Sequence, residues 1–214
     1  MIRLLSFLLF FAFPVIVFSQ DVSQLLQEAR QQESALHENE AFLKYAEILK
    51  LQPANLIALC KCSELSCRIG ARISARDKMQ EYFLAGKNYA AAALRCDSSY
   101  SEANFVMALA LGRLSLIAGV KERIILARDI KHYAEISIRL DPSNFKPYHI
   151  LGKWNYEVSD LNATERAIAK LIYGGLPPAS LKQSIYYFEK SRSLTPAFPL
   201  NYLELARAYQ RNRE

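Results

Sequence analysis

Apolar residues recur at three- and four-residue spacing through Leu25–Leu36, Ala41–Leu51, Leu56–Ile69 and Tyr82–Arg95, the period that gathers them on one stripe of an α-helix. The strict alternation that marks a half-buried strand is nearly absent. The periodic segments stop at turn-forming residues: Gln52-Pro53-Ala54-Asn55, Asp97-Ser98-Ser99, Asp141-Pro142-Ser143-Asn144 and Thr195-Pro196. A proline there cannot continue the helix before it and pre-sets the backbone of the turn after it. The pattern therefore predicts an all-α chain of helices joined by short turns. Leu161–Tyr173 reads as an added helix, and Gly174–Ala179 as the turn into a further helix at Ser180–Leu194.

Aligned on these junctions, the chain repeats. Nine and ten residues after Pro53, Ser98, Pro142 and Pro196 stand Cys62-Ser63, Met107-Ala108, Leu151-Gly152 and Leu205-Ala206, each a larger apolar residue followed by a small one. Six residues after the same junctions come Leu59, Asn104, Tyr148 and Tyr202, and five before them Ile48, Ala93, Ser137 and Ser191. Two antiparallel helices approach closely only where one side chain is small, and a bulky neighbour fills the adjoining groove. Four occurrences at fixed offsets predict a stack of helical hairpins near 22–53, 56–98, 101–142 and 145–196, closed by a helix at 199–212.

These offsets resemble the tetratricopeptide repeat, whose usual period is about 34 residues. Here the junctions lie 45, 44 and 54 residues apart (98−53, 142−98, 196−142), so the repeats are degenerate and their hairpins lengthened. Asn155 stands where that repeat usually carries an aromatic, between Trp154 and Tyr156. The fold class expected is an all-α, tetratricopeptide-type helical-hairpin solenoid over residues 22–214.

The irregular parts resemble a narrower group, the regulator of microtubule dynamics family. The residues that carry this are His149-Ile150-Leu151-Gly152-Lys153-Trp154-Asn155-Tyr156-Glu157-Val158, Glu165-Arg166-Ala167-Ile168-Ala169, Tyr173-Gly174 and Pro177-Pro178. Tyr187-Phe188-Glu189-Lys190-Ser191 and Met107-Ala108-Leu109-Ala110-Leu111-Gly112-Arg113 fit the same pattern. The resemblance covers roughly residues 40–212 and is densest after 100. It implies a helical-repeat protein, and eukaryotic members are linked to microtubules and organelle membranes.

Composition changes the picture at the N-terminus. Arg3 precedes an apolar run from Leu4 to Phe18, broken by Ser6 and ending at Val17-Phe18-Ser19. That run is short for a membrane span, which needs about 20 apolar residues. It reads as a cleaved signal peptide at 1–19 of an exported, periplasmic or secreted protein, with an uncleaved membrane anchor over residues 4–18 as the alternative. No Cys follows it to make a lipoprotein. A bacterial envelope member, for which the family name would report architecture rather than tubulin binding, is the preferred source.

The net charge of +6 falls to +5 if residues 1–19 are removed, because Arg3 is their one charged residue. That is mildly basic, consistent with an acidic partner but not with the concentrated basic stripe of a nucleic-acid binder. Membrane contact is expected only if the leader stays uncleaved.

Reactive groups are few. His37, His132 and His149 are scattered, and neither a Gly-rich phosphate loop nor a G-x-S-x-G elbow is present. Cys60, Cys62, Cys67 and Cys96 match no usual zinc spacing; small side chains buried between helices are expected, with a bridge to Cys96 as the alternative. Glu157 and Glu165 are a carboxylate pair for a remote hydrolase reading, against which stands ordinary ion pairing of helix charges. No enzyme, cofactor or metal is expected.

The function expected is a non-enzymatic interaction scaffold, with a microtubule- or organelle-associated adaptor as the alternative. In stacked hairpins the first helix of each lines a concave face. Counting from the junctions puts Lys61, Glu64 and Arg68, then Asn104, Phe105 and Arg113, then His149, Lys153 and Tyr156, and finally Glu204, Arg207 and Arg211 on that face. Cations can hold carboxylates there while aromatics supply contact area, which suits an extended peptide or an acidic protein surface.

Overall fold

The computed structural model describes residues 14–213, with side chains from Val22 onward apart from Tyr173; most of the apolar leader read at 1–19 lies outside the described residues. Ten helices and no strands are found among the described residues. None of these helices is long and apolar enough to cross a membrane. The chain divides into two compact units at Pro53 and Ala54.

The first unit is one hairpin, α1 (Pro14–Ser34) and α2 (Glu38–Leu51). Ala29, Ala41, Tyr45 and Ile48 are fully buried in it. Its turn places Leu36 in the left-handed region at φ 62°, and the amides of Leu36 and His37 close the end of α1 on the carbonyls of Glu33 and Gln32.

The second unit holds α3 (Leu56–Gly70), α4 (Arg76–Cys96), α5 (Ser101–Ser115), α6 (Val120–Leu140), α7 (Phe145–Val158), α8 (Ala163–Tyr173), α9 (Leu181–Leu194) and α10 (Pro199–Arg211). The hairpins are α3/α4, α5/α6 and α7/α9, with α8 packed on α6 inside the last one. First helices also contact one another in order, α3 on α5, α5 on α7 and α7 on α10. The architecture is all-α and of the tetratricopeptide type.

The repeated offsets have a physical meaning here. At offset ten, a Cβ added to Gly152 of α7 would stand 2.6 Å from the ring of Phe188 on α9, so only glycine admits that crossing. Ser184 Oγ donates to the Gly152 carbonyl at 2.8 Å across the same contact. In the α3/α4 hairpin the glycine sits on the second helix: a Cβ at Gly86 would meet Cys67 Sγ at 2.8 Å and the Ser63 carbonyl at 3.1 Å. Ala108 and Ala134 make the equivalent small-to-small contact between α5 and α6.

The residues at offset six reach back to their junctions. Asn104 Nδ2 donates to the Ser98 carbonyl at 2.9 Å and the Tyr148 hydroxyl to the Pro142 carbonyl at 3.1 Å. The two turns are built alike: Asp97 accepts from the amide and hydroxyl of Ser99, and Asp141 from those of Ser143. These bonds favour the ionised carboxylates and hold both below the usual aspartate range. Helix starts are capped by Asn55, Asn144, Asn162 and Ser180, which satisfy amides that would otherwise lack a partner. At α8 the cap is a full capping box with Glu165, so the side-chain oxygen of Asn162 in the glycosylation-like Asn162-Ala163-Thr164 is engaged in the fold.

Candidate functional site

The face lined by α3, α5, α7 and α10 begins with a charge network that spans three helices. Lys146, in the first turn of α7, bonds Glu102 of α5 at 2.5 Å and Glu64 of α3 at 3.3 Å, and its ammonium lies 4.9 Å from the Phe105 ring centroid. Lys61 approaches Glu64 at 3.8 Å, and Asn144 donates to Glu102. Burial would raise the Glu64 carboxyl, but the charges of Lys146 and Lys61 outweigh it and hold the group below the usual glutamate range. Burial likewise works against the Lys146 charge, and Glu64 and Glu102 overcome it, so its pKa is raised.

A second network joins α7 to α10. Lys153 pairs with Glu157 and with Glu204, each at 3.0 Å, and Arg207 pairs with Glu204 at 2.8 Å. The Arg211 guanidinium stacks 3.7 Å from the Tyr156 ring centroid, bonds Ser159 Oγ at 2.7 Å and approaches Asp160 at 3.4 Å. The planar fork of arginine suits this combination of stacking and donation better than lysine would.

His149 lies between the networks. Its Nδ1 shares a 3.0 Å bond with Asn201 Oδ1, and its ring contacts those of Phe188 and Phe198 at 5.4 and 4.9 Å. Burial lowers its pKa, against the opposing effect of the Asn201 bond. A histidine held neutral in the fold contributes stability that is present above its unfolded value, near 6.5, and is lost as pH falls toward the folded value. Acidifying from pH 7.5 to 5.5 is therefore expected to lower the Tm by about 2 °C more in the wild type than in His149→Gln. Equal losses in thermal melts of the two proteins would remove His149 as the source.

Arg113 differs from the other cations. It is half-buried on α5, where its charge bears on Cys67 of α3 and on the His149 ring. Its Nε is buried with no hydrogen-bond partner, and it makes no ion pair among the described residues.

The twelve positions chosen from the sequence thus divide. Lys61, Glu64, Lys153, Tyr156, Glu204, Arg207 and Arg211 meet in the two networks, and Arg68 acts on Glu64 from the last turn of α3. Asn104 is buried with both amide hydrogens given to the Ser98 and Tyr100 carbonyls, so it serves the turn rather than a ligand. Phe105 is buried as the platform under Lys146. Lys146 and Glu102 were not among the twelve. The available signal was their shared offset, four residues after Pro142 and Ser98.

The remaining chemical candidates are occupied otherwise. Glu157 pairs with Lys153, and Glu165 pairs with Arg123 while closing the capping box. Cys60, Cys62 and Cys67 are buried, unbridged thiols pushed up to about 12 by burial, hence protonated at neutral pH; Cys96 is exposed and also unbridged. Among the described residues no group of His, Cys, Asp and Glu is placed to hold a metal ion.

Comparison with known proteins places this geometry in context. The sequence profile described as "Regulator of microtubule dynamics protein 1-3" matches residues 22–214. Regulator of microtubule dynamics protein 3 of Xenopus laevis is 35% identical over 53% of the chain and 24% of its own length. The chain spans less than half the length of the curated relatives compared with it, 45% in the bovine protein 1. Among solved structures, a tetratricopeptide-repeat protein of Thermus thermophilus superposes with a TM-score of 0.54 at 14% identity, covering 88% of this chain and 99% of that one. The first such domain of Spaghetti, bound to the HSP90 peptide SRMEEVD, gives 0.51 at 17% identity, covering 66% and 96%. These structures share the fold with this chain.

Proposed function

We propose that this chain, which belongs to the regulator of microtubule dynamics family, is an interaction module that grips an acidic peptide segment of a partner protein on the face of α3, α5, α7 and α10. The observation that carries this reading is Arg113. The other cations of the face have carboxylate partners or stack within it, whereas Arg113 is half-buried, with no ion pair among the described residues and a buried Nε without a bond partner. An arriving carboxylate would face a guanidinium charge that no described carboxylate neutralises, an attraction that a neutral peptide would not gain. The solved domain holding SRMEEVD supports the reading as a protein of the same fold with an acidic peptide bound.

The test is fluorescence anisotropy with labelled SRMEEVD as the probe. Wild-type binding with a Kd on the order of tens of micromolar is expected, about tenfold weaker for Arg113→Gln, and weaker at higher salt. An Arg113→Gln affinity equal to wild type, or stronger binding of SRMQQVN, which lacks the side-chain carboxylates, would overturn it.

The names of the relatives favour a second reading, a microtubule-related role for the same face. Co-sedimentation with polymerised tubulin at low salt tests it, and absence from the pellet removes it. We further propose that the leader at 1–19 exports the chain to the periplasm or beyond. A mature N-terminus near Gln20 or Asp21 would support this, and an intact Met1 would indicate an anchor.

A further inference from the structure

The offsets that describe the hairpins single out α10. In α3, α5 and α7 the residues six, ten and thirteen positions after the junction form the side turned to the second helix of the hairpin. They are Leu59, Ser63 and Ser66, then Asn104, Ala108 and Leu111, then Tyr148, Gly152 and Asn155, and all nine are buried. The Ser63–Gly86, Ala108–Ala134 and Gly152–Phe188 contacts show what buries them. The same offsets in α10 give Tyr202, Ala206 and Tyr209, and all three are exposed, the tyrosines by 42% and 40%. Leu203 beside them is half exposed. Thus α10 carries the first-helix pattern, large Leu205 before small Ala206, and no described residue covers the side meant for a second helix.

We propose that this side of α10 is a docking site for an amphipathic helix of a partner protein with acidic edges. The shape argument is the small Ala206 between two tyrosines, which suits a close helix crossing like that of Ala108 with Ala134 rather than an extended peptide. The charge argument is that Arg192 and Arg213 both act on Tyr209, with Glu189 the one acidic group acting on it among the described residues. Glu189 is itself taken by Arg192 at 2.6 Å and by the Tyr209 hydroxyl at 2.9 Å. Among the described residues this edge is net cationic, so an acidic helix gains attraction, while α10 of a second copy would bring Arg213 against its own kind.

The probe is a stapled peptide of residues 181–194, the segment that covers the equivalent side of α7, with Lys182, Lys190 and Arg192 each changed to Glu. Anisotropy against the full chain is expected to saturate, to weaken at least tenfold in Ala206→Arg, and to be unchanged in Arg113→Gln, which separates this site from the peptide face. The unaltered basic peptide is expected to bind at least threefold more weakly. Three results would overturn the proposal: failure to saturate, indifference to Ala206→Arg, or self-association in sedimentation that Ala206→Arg abolishes, which would assign the side to a second copy.

Discussion

Replacing Gly152 by valine is expected to destabilise the second unit by about 3 kcal/mol, the upper range for forcing extra methyls into a packed core. The new Cβ would fall 2.6–2.8 Å from three ring atoms of Phe188, which is itself fully buried. Neither partner retreats easily: the ring is packed with Leu205 and Ala208, and Ser184 ties α9 to the Gly152 carbonyl. Gly112→Ala is the control, since nothing lies near its added Cβ, and helix propensity alone predicts a gain of up to about 1 kcal/mol. Pairing Gly152→Ala with Phe188→Leu should recover part of the loss by shortening the obstructing ring. Urea unfolding measures all three, and a Gly152→Val protein as stable as Gly112→Ala would dismiss the close crossing.

Lys146→Met is expected to cost about 2 kcal/mol. Removing one member of a fully buried pair costs roughly 3–5 kcal/mol, and the partial exposure of Lys146 and Glu102, 23% each, lowers that. The loss comes from Glu64 and Glu102, left without their cation in a partly desolvated site. Adding Glu64→Gln should therefore relieve some of it, giving a double variant less damaged than the sum of the singles. The pH dependence has a definite sign. The Glu64 carboxyl is depressed in the fold, so its contribution is present above the usual glutamate value and disappears as pH falls through the folded value. Wild type should lose stability over that acid range and Lys146→Met should lose less. Strict additivity of the two substitutions, or identical acid limbs, would show that the network does not act as a unit.

The fold was legible because its determinants are local or repeat at fixed offsets. The helical period, the prolines and asparagines of the junctions and the large–small pairs each reflect a steric requirement that one hairpin imposes on its own residues. The site was less legible because it depends on distances between helices. Glu64 and Lys146 are 82 residues apart in sequence, and no periodicity within either segment announces that they meet. Offsets from a junction also identify a turn of helix without saying whether a side chain is spent locally. Asn104 and Arg113 both count onto the inner face, yet the first is consumed by the turn before it while the second makes no ion pair among the described residues. The exposed row on α10 shows the reverse case: its pattern was readable as a hairpin signature, but only burial reveals that no described residue covers it.

The central claim is that a carboxylate of a partner meets Arg113. The most direct measurement follows the Nε–Hε resonance of Arg113 in ¹⁵N-arginine-labelled protein, assigned by its loss in Arg113→Lys, during titration with SRMEEVD. The account predicts a saturable shift of this resonance with the same midpoint as the anisotropy, absent with SRMQQVN. An Arg113 signal that stays in place while the peptide binds would contradict it.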